Sequence, residues 1–298
     1  MRVRNIVLLL LAVGTILLAG CGAQTATKEH SGNFHIVTSF YPMYIDAINI
    51  TRGVDGVTVT NMTKPQTGCL HDYQLTTEDM KTLEKADAFI VNGAGMESFL
   101  DKVIKAQKGL VVIDASRGIP LLEEKGEQNP HVWLSISKDI EQVKNIAAQL
   151  KEAEPEHADA YEANAAAYIE KLTALKDEMH AALDGVPHKD VVTFHEAFPY
   201  FAEEFGLHIV GVIEREPGSE PTPEELEATI DQVNQLPVKV LFTEPQYSPS
   251  AAETIARETG AKIYELDPVV TGEATPEAAD AYLAAMRKNM EVLKQALQ

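Results

Sequence analysis

Residues 153–183 read AEPEHADAYEANAAAYIEKLTALKDEMHAAL and contain no proline or glycine after Pro155. The stretch is rich in alanine, glutamate, lysine and leucine, which are strong helix formers. Gly185 and Pro187 follow it, and both residue types are typical of a helix end. The composition therefore predicts one long helix in the middle of the chain, ending near Gly185.

Short apolar runs rich in β-branched residues lie on both sides of this predicted helix. Four candidate strands precede it, at residues 35–40, 57–61, 88–92 and 110–114. Four follow it, at residues 190–195, 207–213, 238–243 and 261–265. Runs such as VVID (111–114) and KVLFT (239–243) do not alternate between apolar and polar residues, which is typical of parallel strands covered on both faces.

Helical patterns separate the candidate strands. They begin at recognisable N-caps or prolines, namely Thr76, Ser135, Pro223 and Pro276. Alternation of strands and helices predicts two α/β lobes, each with a mainly parallel four-stranded sheet flanked by helices and joined by the long helix. A single continuous sheet is the alternative, and the long uninterrupted helix argues against it. A cleft between two lobes is a natural ligand site.

The N-terminus has the pattern of an exported lipoprotein. Arg2 and Arg4 precede an apolar run at residues 6–18, which is shorter than the roughly 20 residues that a membrane-spanning helix needs. Leu-Ala-Gly-Cys at residues 18–21 resembles a bacterial lipobox, in which Cys21 carries lipid after cleavage. The alternative is an ordinary signal peptide or membrane anchor with a chance cysteine.

These features predict five segments. They are a signal peptide (1–20), a flexible tether (21–33), an N-terminal lobe (34–152), the long linking helix (153–185) and a C-terminal lobe (186–298). The formal net charge of −20 argues against nucleic-acid binding. Lipid on Cys21 would leave Cys69 as the one remaining thiol, so no intrachain disulfide is expected.

Four residues stand where a ligand site of an α/β protein is expected. His195 closes a candidate strand and Asp267 lies just beyond another, where ligands of parallel sheets bind. His71 and His131 lie in connecting segments of the other lobe. Imidazole nitrogen and carboxylate oxygen are zinc ligands, and four protein ligands imply capture rather than hydrolysis. Single scattered histidines have no diagnostic spacing, so the pattern alone leaves this site open.

Several longer stretches occur together in a characteristic order. They are HDYQLTTEDM (71–80), VNGAGMESFL (91–100), NPHVWLSI (129–136), VVTFHEAFPYFAEEFGL (191–207), EREPGSEPTPEEL (214–226), LFTEPQYSP (241–249) and ELDPV (265–269). With them, nearly the whole chain after the tether resembles the zinc/manganese-binding lipoproteins, or substrate-binding proteins, of bacterial metal-uptake ABC transporters.

The resemblance implies a function and a ligand set. The metal ligands would be His71, His131, His195 and Asp267. The protein would be a monomeric, extracytoplasmic receptor without enzymatic activity, anchored to the cell membrane through lipid on Cys21. Its partners would be an ABC permease and the cytoplasmic ATPase of that permease.

The expected ion is Zn²⁺, with Mn²⁺ as the alternative. Residues 121–129 (LLEEKGEQN) contain no histidine, whereas many zinc-specific relatives have a histidine-rich loop there. Manganese-type relatives often have glutamate at the third ligand position, where this chain has His195. Imidazole ligands favour zinc over manganese, and the identity of a direct ligand is stronger evidence for the ion than the absence of the histidine-rich loop.

Two further residues have alternative interpretations. Cys69 is either a small buried residue of the loop or a thiolate ligand. Glu244 is either an acceptor for the ring N–H of a ligand imidazole or a solvated loop acid. Other function classes are a zinc hydrolase, for which no spacing supplies a signature, and an adhesive surface lipoprotein stabilised by metal. A receptor for a larger iron or cobalt complex would need a broader pocket than three histidines indicate.

Overall fold

The computed structural model describes residues 33–70, 73–124, 126–213, 221–237 and 239–298. The predicted signal peptide, Cys21, nearly all of the predicted tether and His71 lie outside these residues. Within the described part of the chain, no helix is both long and apolar enough to span a membrane.

The first half of the chain contains a parallel four-stranded sheet. Its strands are β1 (Phe34–Thr38), β2 (Val57–Asn61), β3 (Ala88–Val91) and β4 (Val111–Asp114). The order is β2-β1-β3-β4, and each neighbouring pair is parallel. The inner strand β3 is buried at all four residues, as expected for a strand covered on both faces. A short antiparallel hairpin follows, formed by β5 (Glu123–Glu124) and β6 (Glu127–Gln128).

The second half contains a matching sheet. Its strands are β7 (Asp190–Thr193), β8 (His208–Val212), β9 (Val240–Thr243) and β10 (Lys262–Glu265). The order is β10-β9-β7-β8, again with parallel neighbours. Two separate four-stranded sheets confirm the predicted fold class, and the alternative of one continuous sheet is wrong for the described residues.

Nine α-helices surround the two sheets in the described residues. They are α1 (Tyr41–Ile50), α2 (Thr77–Glu84), α3 (Asp101–Ala106), α4 (Ile136–Ala153), α5 (Ala158–Leu183), α6 (Pro199–Phe205), α7 (Pro223–Gln235), α8 (Ser250–Thr259) and α9 (Ala281–Ala296). Thr76 and Thr222 form capping boxes at α2 and α7, and the Ser135 hydroxyl caps α4. These caps satisfy backbone N–H groups that have no partner within the helix.

The long helix α5 is present, but it begins later than the composition predicts. Ala153 ends α4, Glu154 adopts φ −137° and ψ 79°, and a 3₁₀ turn at Pro155–His157 leads into α5 at Ala158. Proline disfavours the helical conformation of the residue before it, so Glu154 cannot continue α4. Pro155 therefore separates two helices.

Helix α5 holds the two halves of the chain together. Its buried residues recur every three or four positions, which places them on one face: Tyr161, Ala165, Tyr168, Leu172, Leu175, Met179 and Leu183. This face packs against α1 and α4 from the first half and against α9 from the second. The described residues accordingly form one compact unit, with both sheets attached to the same helical layer.

Candidate metal centre

Two of the expected ligands follow strands of the second sheet. β7 ends at Thr193, so His195 lies two residues beyond the strand and does not close it as predicted. β10 ends at Glu265, which places Asp267 two residues beyond that strand. Since β7, β9 and β10 are parallel neighbours, the residues that follow them lie along the same edge of the sheet.

His195 is buried, with its ring held at both nitrogens. Its Nδ1 lies 2.5 Å from Oε1 of Glu244, and its Nε2 lies 3.5 Å from Sγ of Cys69. Glu244 follows β9 and is itself buried, so it is not a solvated acid. Because a carboxylate accepts hydrogen bonds, Nδ1 carries a proton and Nε2 is the atom that faces the cluster.

The His131 ring is also held at both of its nitrogens. Its Nδ1 lies 3.0 Å from Oδ1 of Asn129, and that oxygen also accepts the backbone N–H of His131 at 3.0 Å. Since the shared Asn129 atom accepts a backbone N–H, it is an oxygen, and the ring donates to it from Nδ1. The Nε2 atom then faces Sγ of Cys69 at 3.6 Å.

The backbone around His131 is held from both halves of the chain. Asn129 donates from Nδ2 to the carbonyl of Glu196, and Tyr200 donates from its hydroxyl to the carbonyl of Asn129, each at 2.8 Å. Asn92 donates to the carbonyl of Pro130 at 2.9 Å. These contacts orient the imidazole before any ligand binds, which is the usual task of groups behind a metal ligand.

Cys69 completes a cluster of three donor groups. Its Sγ and the Nε2 atoms of His131 and His195 all lie within 4.8 Å of one another, and the three residues are buried. Burial raises the pKa of the Cys69 thiol, whereas the charge and hydrogen bond of His195 lower it. The structure therefore brings the thiol into the site together with the two imidazoles.

Asp267 follows a strand of the same sheet as His195 but is not part of this cluster. Among the described residues, its carboxylate does not belong to the group of mutually close donor atoms. Its Oδ1 accepts the N–H of Val269 at 2.8 Å, and its backbone is held in two hydrogen bonds by the Asn289 side chain. Burial raises the pKa of the Asp267 carboxyl.

The segment after Asp267 is strained and anchored. Val269 adopts φ 62°, a conformation that is rare for a β-branched residue and is found mainly at functional sites. The indole N–H of Trp133 donates to the carbonyl of Pro268 at 2.9 Å, while the Trp133 ring packs beside His131 at a centroid distance of 5.4 Å. Trp133 thus connects the His131 segment to the segment that contains Asp267.

The charges around His195 favour its protonated form when no cation is bound. Burial lowers the pKa of His195, but the charges of Glu244 and Cys69 and the hydrogen bonds to both raise it, with a net pKa of about 10. A divalent cation bound at Nε2 would replace that ring proton while Nδ1 kept its bond to Glu244. The carboxylate of Glu244 therefore favours a positive charge at the His195 ring.

Sequence reasoning missed two residues that shape the centre. Asn129 has no predicted role, although an Asn-x-His segment places an amide oxygen within reach of the imidazole. Tyr247 carried no signal: its ring stacks on Phe194 at 5.6 Å and meets the His195 ring edge-on at 5.7 Å. Such contacts depend on the fold and not on spacing in the sequence.

The fold and this centre define a class of protein: a two-lobed α/β binding protein with a buried cluster of two imidazoles and one thiol, donor groups of the kind that hold a metal ion. Comparison with known proteins identifies the family. The family model ZnuA, described as zinc-uptake complex component A, periplasmic, matches residues 36–296, and the chain belongs to this family.

Individual relatives agree with this assignment. The chain is 30% identical to the high-affinity zinc uptake system protein ZnuA of Bacillus subtilis, over 97% of both chains. It is 31% identical to the zinc-binding lipoprotein AdcA of Streptococcus pneumoniae, matching 98% of this chain and 61% of AdcA. The chain therefore spans about three fifths of the length of the streptococcal AdcA relatives that it matches.

A solved structure shows the same fold. The substrate-binding protein FpvC of Pseudomonas aeruginosa, in complex with Mn²⁺, superposes with a TM-score of 0.80 at 35% identity. The match covers 89% of this chain and 98% of FpvC.

Proposed function

We propose that this protein is an extracytoplasmic receptor that captures Zn²⁺ between its lobes and delivers it to an ABC permease served by a cytoplasmic ATPase. The observation that carries the proposal is the convergence of two buried imidazoles, His131 and His195, each with an acceptor at Nδ1 and with Nε2 turned to a common point. The family resemblance adds His71 as a third ligand and gives Asp267 as the expected fourth. Binding and release, without catalytic turnover, is the role that suits a site filled by protein ligands.

The location follows from the N-terminal sequence. We propose that Cys21 carries lipid and that the tether holds a monomeric receptor at the outer face of the cell membrane. The lipobox-like residues 18–21 support this anchor, and the name of the AdcA relative describes a lipoprotein.

Manganese is the second candidate ion, because FpvC was solved with Mn²⁺ bound. Zinc is favoured for this chain since imidazole nitrogens suit zinc, whereas manganese prefers oxygen ligands. The two candidate functions therefore differ only in which ion the receptor captures.

Competitive metal binding tests the proposal. A form that lacks residues 1–21 retains the compact unit Asn33–Gln298. It is equilibrated with Zn²⁺ and excess Mn²⁺, and the retained metal is counted by mass spectrometry. We expect one equivalent of zinc, which is lost in His71→Ala, His131→Ala and His195→Ala.

His208→Ala is the matched control, because this imidazole is exposed in the same lobe as His195 and pairs only with half-buried Asp190 among the contacts described. Retention of manganese in place of zinc would change the ion but keep the receptor. Absence of stoichiometric metal, or zinc binding that survives loss of His131 and His195, would overturn the proposed function and leave an adhesive role to be tested.

A further inference from the structure

The distances at Cys69 match those of a coordination shell. In tetrahedral zinc sites the metal lies about 2.05 Å from imidazole nitrogen and about 2.3 Å from sulfur, which separates nitrogen from sulfur by about 3.6 Å. Sγ of Cys69 lies 3.6 Å from Nε2 of His131 and 3.5 Å from Nε2 of His195. Both sulfur–nitrogen distances thus match those of ligands that share one zinc ion.

The loop that presents the thiol is positioned by the opposite lobe. The Tyr247 hydroxyl lies 3.4 Å from the backbone N–H of Cys69, which donates to it. A Cβ at Gly68 would lie 2.8 Å from the same hydroxyl, so only glycine permits this approach. Tyr247 in turn packs against His195. One tyrosine therefore holds the cysteine loop against the imidazole that the sulfur contacts.

The carboxylate expected at this position has other contacts. Asp267 accepts the N–H of Val269, Asn289 holds its backbone, and its carboxylate is not part of the donor cluster in the described residues. The donor atom grouped with the two imidazoles in the described residues is accordingly the sulfur of Cys69.

We propose that Cys69, in place of Asp267, is a direct ligand of the captured ion. The sulfur of Cys69 makes the site prefer zinc to manganese. This inference rests on the proposed function. On capture the thiol loses its proton to solvent and the sulfur donates an electron pair to Zn²⁺, so nothing is oxidised or reduced. Thiolate is a soft ligand that selects zinc, whereas manganese prefers oxygen.

X-ray absorption at the zinc edge tests the ligand directly. The form without residues 1–21 contains one cysteine, so a sulfur neighbour identifies Cys69. With one equivalent of Zn²⁺ we expect a sulfur shell at about 2.3 Å beside nitrogen at about 2.0–2.1 Å. The sulfur shell should disappear in Cys69→Ser and persist in Asp267→Ala, and the preference for Zn²⁺ over Mn²⁺ in Cys69→Ser should fall by about tenfold or more.

The outcomes separate this inference from the proposed function. Zinc bound by nitrogen and oxygen alone in the unmodified protein would overturn the role of Cys69 and leave the zinc receptor intact. Absence of bound zinc would overturn both. The measurement on the unmodified protein decides the question even if a variant fails to fold, and Cys69→Ala provides a second replacement of the thiol.

Discussion

At the residue scale, the pairing of His195 with Glu244 links the two central strands of the second sheet. The residues follow β7 and β9, and their side chains meet at 2.5 Å with both buried. Glu244 is also held by Gln246, which donates to its Oε2 at 2.8 Å. The carboxylate thereby keeps the ring of His195 oriented and increases the basicity of the ring nitrogen that faces the cluster.

Replacement of Glu244 by glutamine should weaken zinc binding without removing it. An amide cannot supply the negative charge, and only its oxygen can accept the Nδ1 hydrogen bond, so we expect a loss of about 10–100-fold in Zn²⁺ affinity. Titration against a competing chelator measures the change, with the exposed Glu253→Gln as control. An affinity equal to that of the unmodified protein would show that Glu244 does not support a metal ligand.

At the element scale, a buried glutamate joins the carboxyl ends of two strands of the first sheet. Glu97 accepts the Ser39 hydroxyl after β1 at 2.7 Å, and it accepts the backbone N–H groups of Asn92 and Gly93 after β3 at 2.8 and 3.1 Å. Gly93 has φ 78°, and a Cβ there would lie 2.0 Å from Oδ1 of Asp114, so the turn requires glycine. Burial raises the pKa of Glu97 to about 7, although these hydrogen bonds lower it.

This raised pKa predicts a pH dependence of stability. Between the ordinary value of 4.5 and about 7, the folded state binds more protons than the unfolded state at Glu97. The stabilisation is therefore complete below about pH 4.5 and is lost as the pH rises through 7. Over that interval the contribution of Glu97 to the free energy of unfolding should fall by about 2–4 kcal/mol.

The measurement compares the unmodified protein with Glu97→Gln by urea unfolding at several pH values. The variant cannot titrate at this position, so the difference between the two curves isolates Glu97 from the other acids. A difference that stays constant between pH 4.5 and pH 7, or that changes in the opposite direction, would contradict the assigned shift.

At the scale of the whole molecule, α5 is the element on which both lobes depend. Its buried face contacts α1 and α4 of the first half and α9 of the second, and the described residues form one compact unit. Direct bonds between the halves add to this contact: Asn49 donates to the carbonyl of Ala279 at 2.8 Å, and Tyr282 donates to the carbonyl of Trp133 at 2.7 Å. Damage to α5 should therefore affect both lobes.

Ala167→Pro tests this dependence. Ala167 is exposed in the middle of α5, so proline removes a backbone hydrogen bond and clashes with the preceding turn without changing the core. We expect a loss of about 3 kcal/mol or more in the free energy of unfolding, against about 0.5 kcal/mol for the control Ala167→Ser. Circular dichroism follows all helices, and fluorescence follows the one tryptophan, Trp133. Both signals should shift together to lower denaturant, whereas a shift in only one would show that the lobes unfold independently.

The secondary structure could be predicted largely from local patterns. Runs such as VVID and capping pairs such as Thr76 with Asp79 act over a few residues, and β4 and α2 occur where these patterns indicate. The predicted start of the last helix at Pro276 is wrong, because a 3₁₀ turn at Pro276–Asp280 precedes α9. The predicted start of α5 is wrong, because Pro155 disfavours the helical conformation at Glu154 and the helix-forming composition of the stretch does not reflect that restriction. Local patterns extend over only a few residues, so residue spacing alone does not identify a metal centre. The family resemblance supplies the proposed ligands.

The order of strands and helices and the two-lobed class are encoded in short segments of the chain, because backbone preference and apolar periodicity are local properties. The convergence of Cys69, His131 and His195 depends instead on tertiary structure. Cys69 lies 62 residues from His131 and 126 from His195 along the chain, yet one sulfur contacts both rings. That contact exists because α5 packs against helices of both halves and because the Tyr247 hydroxyl of one lobe lies close to Gly68 of the other. Only the packed molecule could decide that the thiol of Cys69 would lie beside the two imidazoles.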